Sequence, residues 1–108
     1  MLWYWGPGAR RRAHDEHPDA FVKTCDRWWD GYNDEEVVIT ECFRHPSLSH
    51  EVCAWGDHHA FRCEIRRGML LIRPKLVIVT SDRHPSKLWG GYRLEKVLRR
   101  YKCVEVAL

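Results

Sequence analysis

Residues 23–43 read Lys-Thr-Cys-Asp-Arg-Trp-Trp-Asp-Gly-Tyr-Asn-Asp-Glu-Glu-Val-Val-Ile-Thr-Glu-Cys-Phe, and the last third of this stretch decides the fold. Val37-Val38-Ile39 is β-branched throughout and lacks polar alternation. Such a run predicts a strand covered on both faces, as in the middle of a parallel α/β sheet. Glu41 and Cys42 stand where that strand ends. Ligands of open α/β sheets bind outside the carboxyl ends of the strands, so an acid and a thiol there are candidate site residues. An inert strand followed by a solvated acid is the plainer alternative.

Working outward, Leu76-Val77-Ile78-Val79 is a second fully apolar run, and it ends in Thr80-Ser81-Asp82. Phe61 to Ile65 alternates with period two, Arg66-Arg67-Gly68 supplies a turn, and Met69 to Ile72 returns, which predicts a β-hairpin with a basic tip. Leu2 to Trp5 is an apolar-aromatic strand that turns at Gly6-Pro7-Gly8 into a short helix over 9–16, closed by His17-Pro18. Ala20 to Thr24 is strand-like. Pro46-Ser47 opens a helix that ends at Gly56. Residues 93–100 place Leu94, Val97 and Leu98 on one helical face, and 101–107 alternate as a final strand. The order predicts an α/β fold with a mainly parallel central sheet around 37–40 and 76–80.

At 108 residues and 44% apolar content, with six tryptophans, the chain is one ordered domain. No apolar run reaches membrane-spanning length, and residues 1–5 are too short for a signal-peptide core. Five scattered cysteines with no Cys-x-x-Cys pair point to reduced thiols in an intracellular setting. Charge is uneven. Residues 1–61 hold 6 basic and 11 acidic side chains, whereas 62–108 hold 12 and 4. A basic half interspersed with aromatics fits a polyanionic partner, and a solvated basic face is its alternative.

Taken together, the strand before Gly6-Pro7-Gly8, Trp28-Trp29-Asp30-Gly31-Tyr32, Glu35-Glu36-Val37-Val38-Ile39, Thr80-Ser81 and Arg99-Arg100 resemble a known family. It is the superfamily 3 helicase domain of the replication initiator (Rep) of circovirus-like single-stranded DNA viruses. The resemblance spans nearly all of 1–108 and implies a three-layer P-loop (AAA+-like) domain with a β-hairpin insertion. It also implies ATP and Mg²⁺ as cofactors, single-stranded DNA and a homo-oligomeric ring as partners, and the host nucleus as location. The chain opens at the first helicase strand, so the nicking endonuclease domain of such proteins is not assigned to it.

The family motifs carry over unevenly. The phosphate loop corresponds to Gly6, Pro7, Gly8 and Arg10, but it is about three residues short and lacks the lysine and hydroxyl that reach phosphate and Mg²⁺. Arg10 brings charge without the geometry of lysine. The paired acids that end the second motif correspond to Glu41, a possible metal ligand through water, and Cys42, which cannot replace a carboxylate. Asp82 stands where the family has a phosphate-sensing asparagine. A carboxylate about 5 Å from phosphate costs roughly 3 kcal/mol at an effective dielectric of 20, and losing a preorganised donor costs ~3 kcal/mol more. Turnover slows by about four orders of magnitude on that basis. Little or no ATP hydrolysis is expected.

The DNA-facing residues match better. Arg66, with Arg67 beside it, stands at the hairpin-tip position where the family has a basic DNA-gripping residue. Arg99 and Arg100 resemble the pair from which a trans-acting arginine finger is drawn, although a solvated helix end reads the same way. Cys53, His58, His59 and Cys63, or His14 and His17, lack zinc-motif spacing, and no zinc is expected. Trp28, Trp29 and Tyr32 either pack their loop against the sheet or form a base-stacking platform. Three functional readings follow: a degenerate helicase domain that retains DNA binding, an active ATP-driven module relying on Arg10 and Glu41, and a non-enzymatic assembly module.

Overall fold

A strand with no polar face needs cover on both sides, and the chain supplies it with helices. The computed structural model describes residues 1–108. In chain order the elements are β1 (Leu2–Trp5), α1 (Ala9–Glu16), β2 (Phe21–Lys23), β3 (Val37–Thr40) and α2 (Ser49–Trp55). Then come β4 (Phe61–Ile65), β5 (Gly68–Ile72), β6 (Leu76–Ser81), α3 (Gly91–Arg100) and β7 (Lys102–Glu105). Five strands form one sheet in the order β2-β3-β6-β1-β7, and every neighbouring pair is parallel. β4 and β5 pair antiparallel as a separate hairpin. This is a three-layer α/β fold.

Successive strand residues point to opposite faces, so each central strand feeds two cores. Tyr4, Ile39 and Ile78 face α1, where the small side chains of Ala9 and Ala13 let the helix lie close. Trp3, Val38, Val77 and Val79 face the other way, against Val52, Val97, Tyr101 and Trp29. The second core is aromatic: Trp3 makes edge contacts with Phe43, Trp89 and Tyr101, at 5.4, 5.8 and 6.1 Å between ring centroids. Such geometry suits the ring quadrupoles.

Two details depart from the sequence-based expectation. α3 begins at Gly91 rather than Arg93. Leu98 does not join the core: it is 43% exposed, while Val97 is fully buried. The inward stripe runs Leu94, Val97, Tyr101, with the tyrosine hydroxyl donating to Val52 O at 2.7 Å. Tyr101 can lie this close only because residue 56 is glycine. A Cβ there would meet the Tyr101 ring at 2.6 Å.

The loop before β3 is built around one buried cation. Lys23 is 1% exposed. Its Nζ donates to the carbonyls of Thr24 (3.2 Å), Trp28 (2.8 Å) and Asp26. The ammonium also sits 5.2 Å from the Trp29 ring centroid and 4.7 Å from that of Trp55. Burial pushes the Lys23 pKa down, with Asp26 opposing. Lys23 thus folds the chain back so that Trp29 enters the core against Phe21, Tyr32, Trp55 and Phe61. For Trp29 the packing reading holds. Trp28 is placed differently.

Candidate functional site

Parallel pairing aligns the carboxyl ends of β1, β3 and β6, so Gly6, Glu41 and Asp82 arrive at one edge of the sheet. They border a cleft of about 240 Å³ lined by Gly6, Pro7, Ala9, Arg10, Cys42, Arg44, Thr80, Ser81 and Asp82. Segments far apart in sequence therefore meet where an α/β sheet binds ligands. The cleft is smaller than the roughly 300–1,000 Å³ of ordinary small-molecule pockets.

Its polar groups are largely engaged with one another. Gly6 N donates to Ser81 O and Gly8 N to Val106 O, both at 3.0 Å, and Ala9 N donates to Gly6 O at 3.2 Å. Gly6 has φ +111, and a Cβ on Gly6 or Gly8 would strike the carbonyl of Val106 or Ala107 at 2.6 or 2.3 Å. These glycines admit the close approach of residues 106–107. The Gly6, Gly8 and Ala9 amides of this loop are thus spent on the chain itself. The amides of Arg10 and Arg11, in the first turn of α1, are left without a backbone acceptor.

Glu41 is held from two sides. Arg10 Nε donates to its Oε2 at 2.9 Å, and His14 Nε2 donates to Oε1. Because an ionised carboxylate only accepts, this contact places a proton on His14 Nε2. Asp82 accepts from Arg83 Nε at 2.8 Å and Nη2 at 3.2 Å, with Arg44 Nη2 at 3.5 Å. The Arg83 hydrogen bond draws the Asp82 pKa down against the opposing effect of burial. Cys42 is exposed with φ +54, and its N–H donates to Thr80 Oγ1 at 3.2 Å. The Ser81 hydroxyl donates to Phe43 O at 2.7 Å.

Mg²⁺ requires near-octahedral oxygen donors. Here both oxygens of Glu41 are engaged by Arg10 and His14, Asp82 is clamped by arginine, and Cys42 offers sulfur. This donor set does not fit Mg²⁺. Nor do three or more His, Cys, Asp or Glu side chains converge anywhere in a metal-binding group. Cys53 is half-buried, Cys63 is buried, and all five thiols are free.

The remaining candidates lie elsewhere. Arg99 and Arg100 end α3 just before Lys102, which pairs with Leu2, so they lie at the opposite end of the sheet from the cleft. Arg99 Nη2 is 3.4 Å from Glu95 Oε1, and Arg100 Nη1 donates to Lys96 O at 3.0 Å. Arg66 and Arg67 form the exposed hairpin tip between β4 and β5. The Arg66 amide donates to both Asp30 oxygens at 3.2 and 3.3 Å. Arg62 in β4 and Arg73, just past the end of β5, are also exposed. The one acid of this hairpin, Glu64, is neutralised by Arg27 at 2.9 Å.

Sequence reasoning missed Arg44 in the cleft and His14 against Glu41 at its border. The signal for His14 was present: four residues after Arg10, it shares that residue's helix face. Arg44 follows a turn whose direction depends on the left-handed backbone at Cys42, which no local pattern announces.

No helix is long and apolar enough to cross a membrane. No family model matches the chain. Curated relatives do match. The replication-associated protein of goose circovirus is 33% identical over 82 residues, 74% of this chain and 28% of the relative. That of pigeon circovirus is 30% identical over 88 residues, 82% and 28% of the respective chains. That of canary circovirus is 28% identical over 81 residues, 75% and 28%. The chain thus spans little more than a quarter of the length of these proteins, and over most of its own length it is similar to circovirus replication-associated proteins.

Proposed function

We propose that this chain is a helicase-like domain of a viral replication initiator that binds single-stranded DNA through its hairpin and has a degenerate nucleotide cleft. The observation that carries the reading is the hairpin: four exposed arginines on it or just past its end, with its single acid already paired. Arginine pairs with phosphate and stacks on bases, which is what a single strand offers.

The cleft supports the second half. An ATP–Mg²⁺ complex would have to displace Glu41 from Arg10 and His14 and free the Gly6 and Gly8 amides from Ser81 and Val106. Nothing in the cleft replaces the absent lysine, hydroxyl and second acid. Under this reading the domain keeps the shape of an ATP-driven motor but not its chemistry. Arg99, the more exposed of the two helix-end arginines, is the one able to reach a neighbouring subunit if a ring assembles.

Fluorescence anisotropy with a labelled single strand tests the DNA half. Arg66→Ala with Arg67→Ala is expected to weaken binding and to reduce the salt slope by about 1.4, since each phosphate contact on a single strand contributes about 0.7. Unchanged affinity and slope would exclude the hairpin. Calorimetric titration with Mg²⁺-ATP tests the cleft. No heat is expected at high nucleotide concentration, and micromolar Mg²⁺-dependent binding would restore the active-motor reading.

A further inference from the structure

Trp28 and Trp29 are adjacent but face opposite ways. Trp28 forms a parallel bridge with Glu64, and Trp29 N donates to Glu64 O at 2.9 Å, so this loop lies along β4 as a short extra strand. Alternation then sends Trp29 inward with Cys63 and Trp28 outward with Glu64. Trp29 is fully buried, whereas Trp28 is only half-buried, beside the hairpin tip.

The outer ring carries two guanidinium groups. Arg27 Cζ lies 4.8 Å from its centroid and Arg66 Cζ 4.9 Å. The two differ in how they are held. Arg27 is anchored by Glu64, with Nε 2.9 Å from Oε2. Arg66 is held only through its backbone N–H to Asp30, and its guanidinium makes no ion pair. A cation on a partly solvated ring is a weak contact, and a charge-assisted bond to phosphate is stronger. When a phosphate arrives at the tip, Arg66 is therefore the group free to leave, and it uncovers an indole face.

We propose that Trp28 is a stacking site for one base of single-stranded DNA and that Arg66 is its displaceable cover. The arginine moves to the backbone phosphate while the base takes its place on the ring, and Arg27 stays on the indole. Stacking needs an unpaired base, so the site selects single strands over duplex, and it tolerates any base because each has a π face. The inference rests on the hairpin reading above, and its test separates the two.

The experiment compares a base-bearing oligonucleotide with an abasic phosphodiester of equal length, for the wild-type chain, Trp28→Leu and Trp28→Phe. The wild type is expected to bind the base-bearing strand at least about fivefold more tightly, the lower end of a base–aromatic contact. Trp28→Leu should lose that difference while keeping its affinity for the abasic strand, and Trp28→Phe should retain most of it. Photo-crosslinking of the wild type to a strand carrying 5-iododeoxyuridine should place the adduct on Trp28, a readout independent of variant folding. Equal wild-type binding of both strands, an equal loss of both in Trp28→Leu, or adducts that bypass Trp28 would overturn the stacking site and leave the hairpin reading intact. No binding of either strand at low salt would overturn both.

Discussion

Replacing Lys23 by methionine keeps side-chain length and removes the ammonium around which the 24–29 loop is folded. The cost follows from its contacts. Thr24 O keeps a donor, the Asp26 N–H at 2.9 Å, but the carbonyls of Asp26 and Trp28 lose theirs. Leaving two half-buried carbonyls unpaired costs about 1–2 kcal/mol each. Loss of the cation from between Trp29 and Trp55 adds about 1–2 kcal/mol. Against this, methionine recovers part of the burial penalty that lowers the Lys23 pKa. The net is a destabilisation of about 3 kcal/mol, a large share of the roughly 5–15 kcal/mol that holds a domain together. Urea unfolding followed by tryptophan fluorescence should show the midpoint falling by about 1.5–2 M at an unchanged slope. A change below about 0.5 kcal/mol would refute the argument, because it would mean that the loop is held by its tryptophans and not by the ammonium. Lys23→Arg should not rescue, since a planar fork cannot reproduce three N–H donors radiating from one nitrogen to three carbonyls.

Further outcomes can be stated more briefly. Gly56→Ala drives a Cβ to within 2.6 Å of the Tyr101 ring and should cost about 1–3 kcal/mol in the same urea assay. Cys42→Asn should stabilise by about 0.5–1 kcal/mol, because asparagine tolerates the left-handed φ of +54 better than cysteine. Stability should fall in acid. The Tyr4 hydroxyl lowers the Glu16 pKa; at Asp26 burial raises it, but hydrogen bonds from Thr24, Trp28 N–H and Lys23 outweigh that. Both carboxyls are thus more acidic in the native state than in the unfolded chain. Their stabilisation is present above the unfolded value of about 4 and is lost as pH falls through the lower native values. A urea midpoint that stays level from about pH 5 down to pH 2 would contradict it.

The α/β architecture was legible because burial on both faces leaves a composition signature. Val37-Val38-Ile39 and Leu76-Val77-Ile78-Val79 have no polar residue to turn toward water, and they do become neighbouring strands. The hairpin was legible from period-two alternation around Arg66-Arg67-Gly68. The convergence of Gly6, Glu41 and Asp82 on one edge followed from parallel pairing once the strands were assigned. Electrostatic pairing inside that edge was not legible. Whether Glu41 faces a ligand or Arg10 and His14 is decided by side-chain geometry across 31 and 27 residues of sequence separation, which motif spacing does not encode. Lys23 escaped notice for a related reason. A lysine in a short strand reads as an edge charge, and only the three carbonyls that return to it make burial affordable. Leu98 misled because a helical face drawn from apolarity alone takes no account of Tyr101, which fills the same position from just beyond the helix.

The sheet order has a consequence for how the chain reaches this structure. β1 pairs with β6 and β7, whose partner residues lie about 76 and 100 positions further along. α1 follows at once and covers Tyr4, but the strands that flank β1 and the core around Trp3 come only from these distant segments. Long-range parallel pairing of this kind slows folding, because loop closure must precede any contact that rewards it. The two cores lie on either side of the same strands, so both depend on this pairing. A break anywhere between residues 6 and 76 separates β1 from its parallel partner β6.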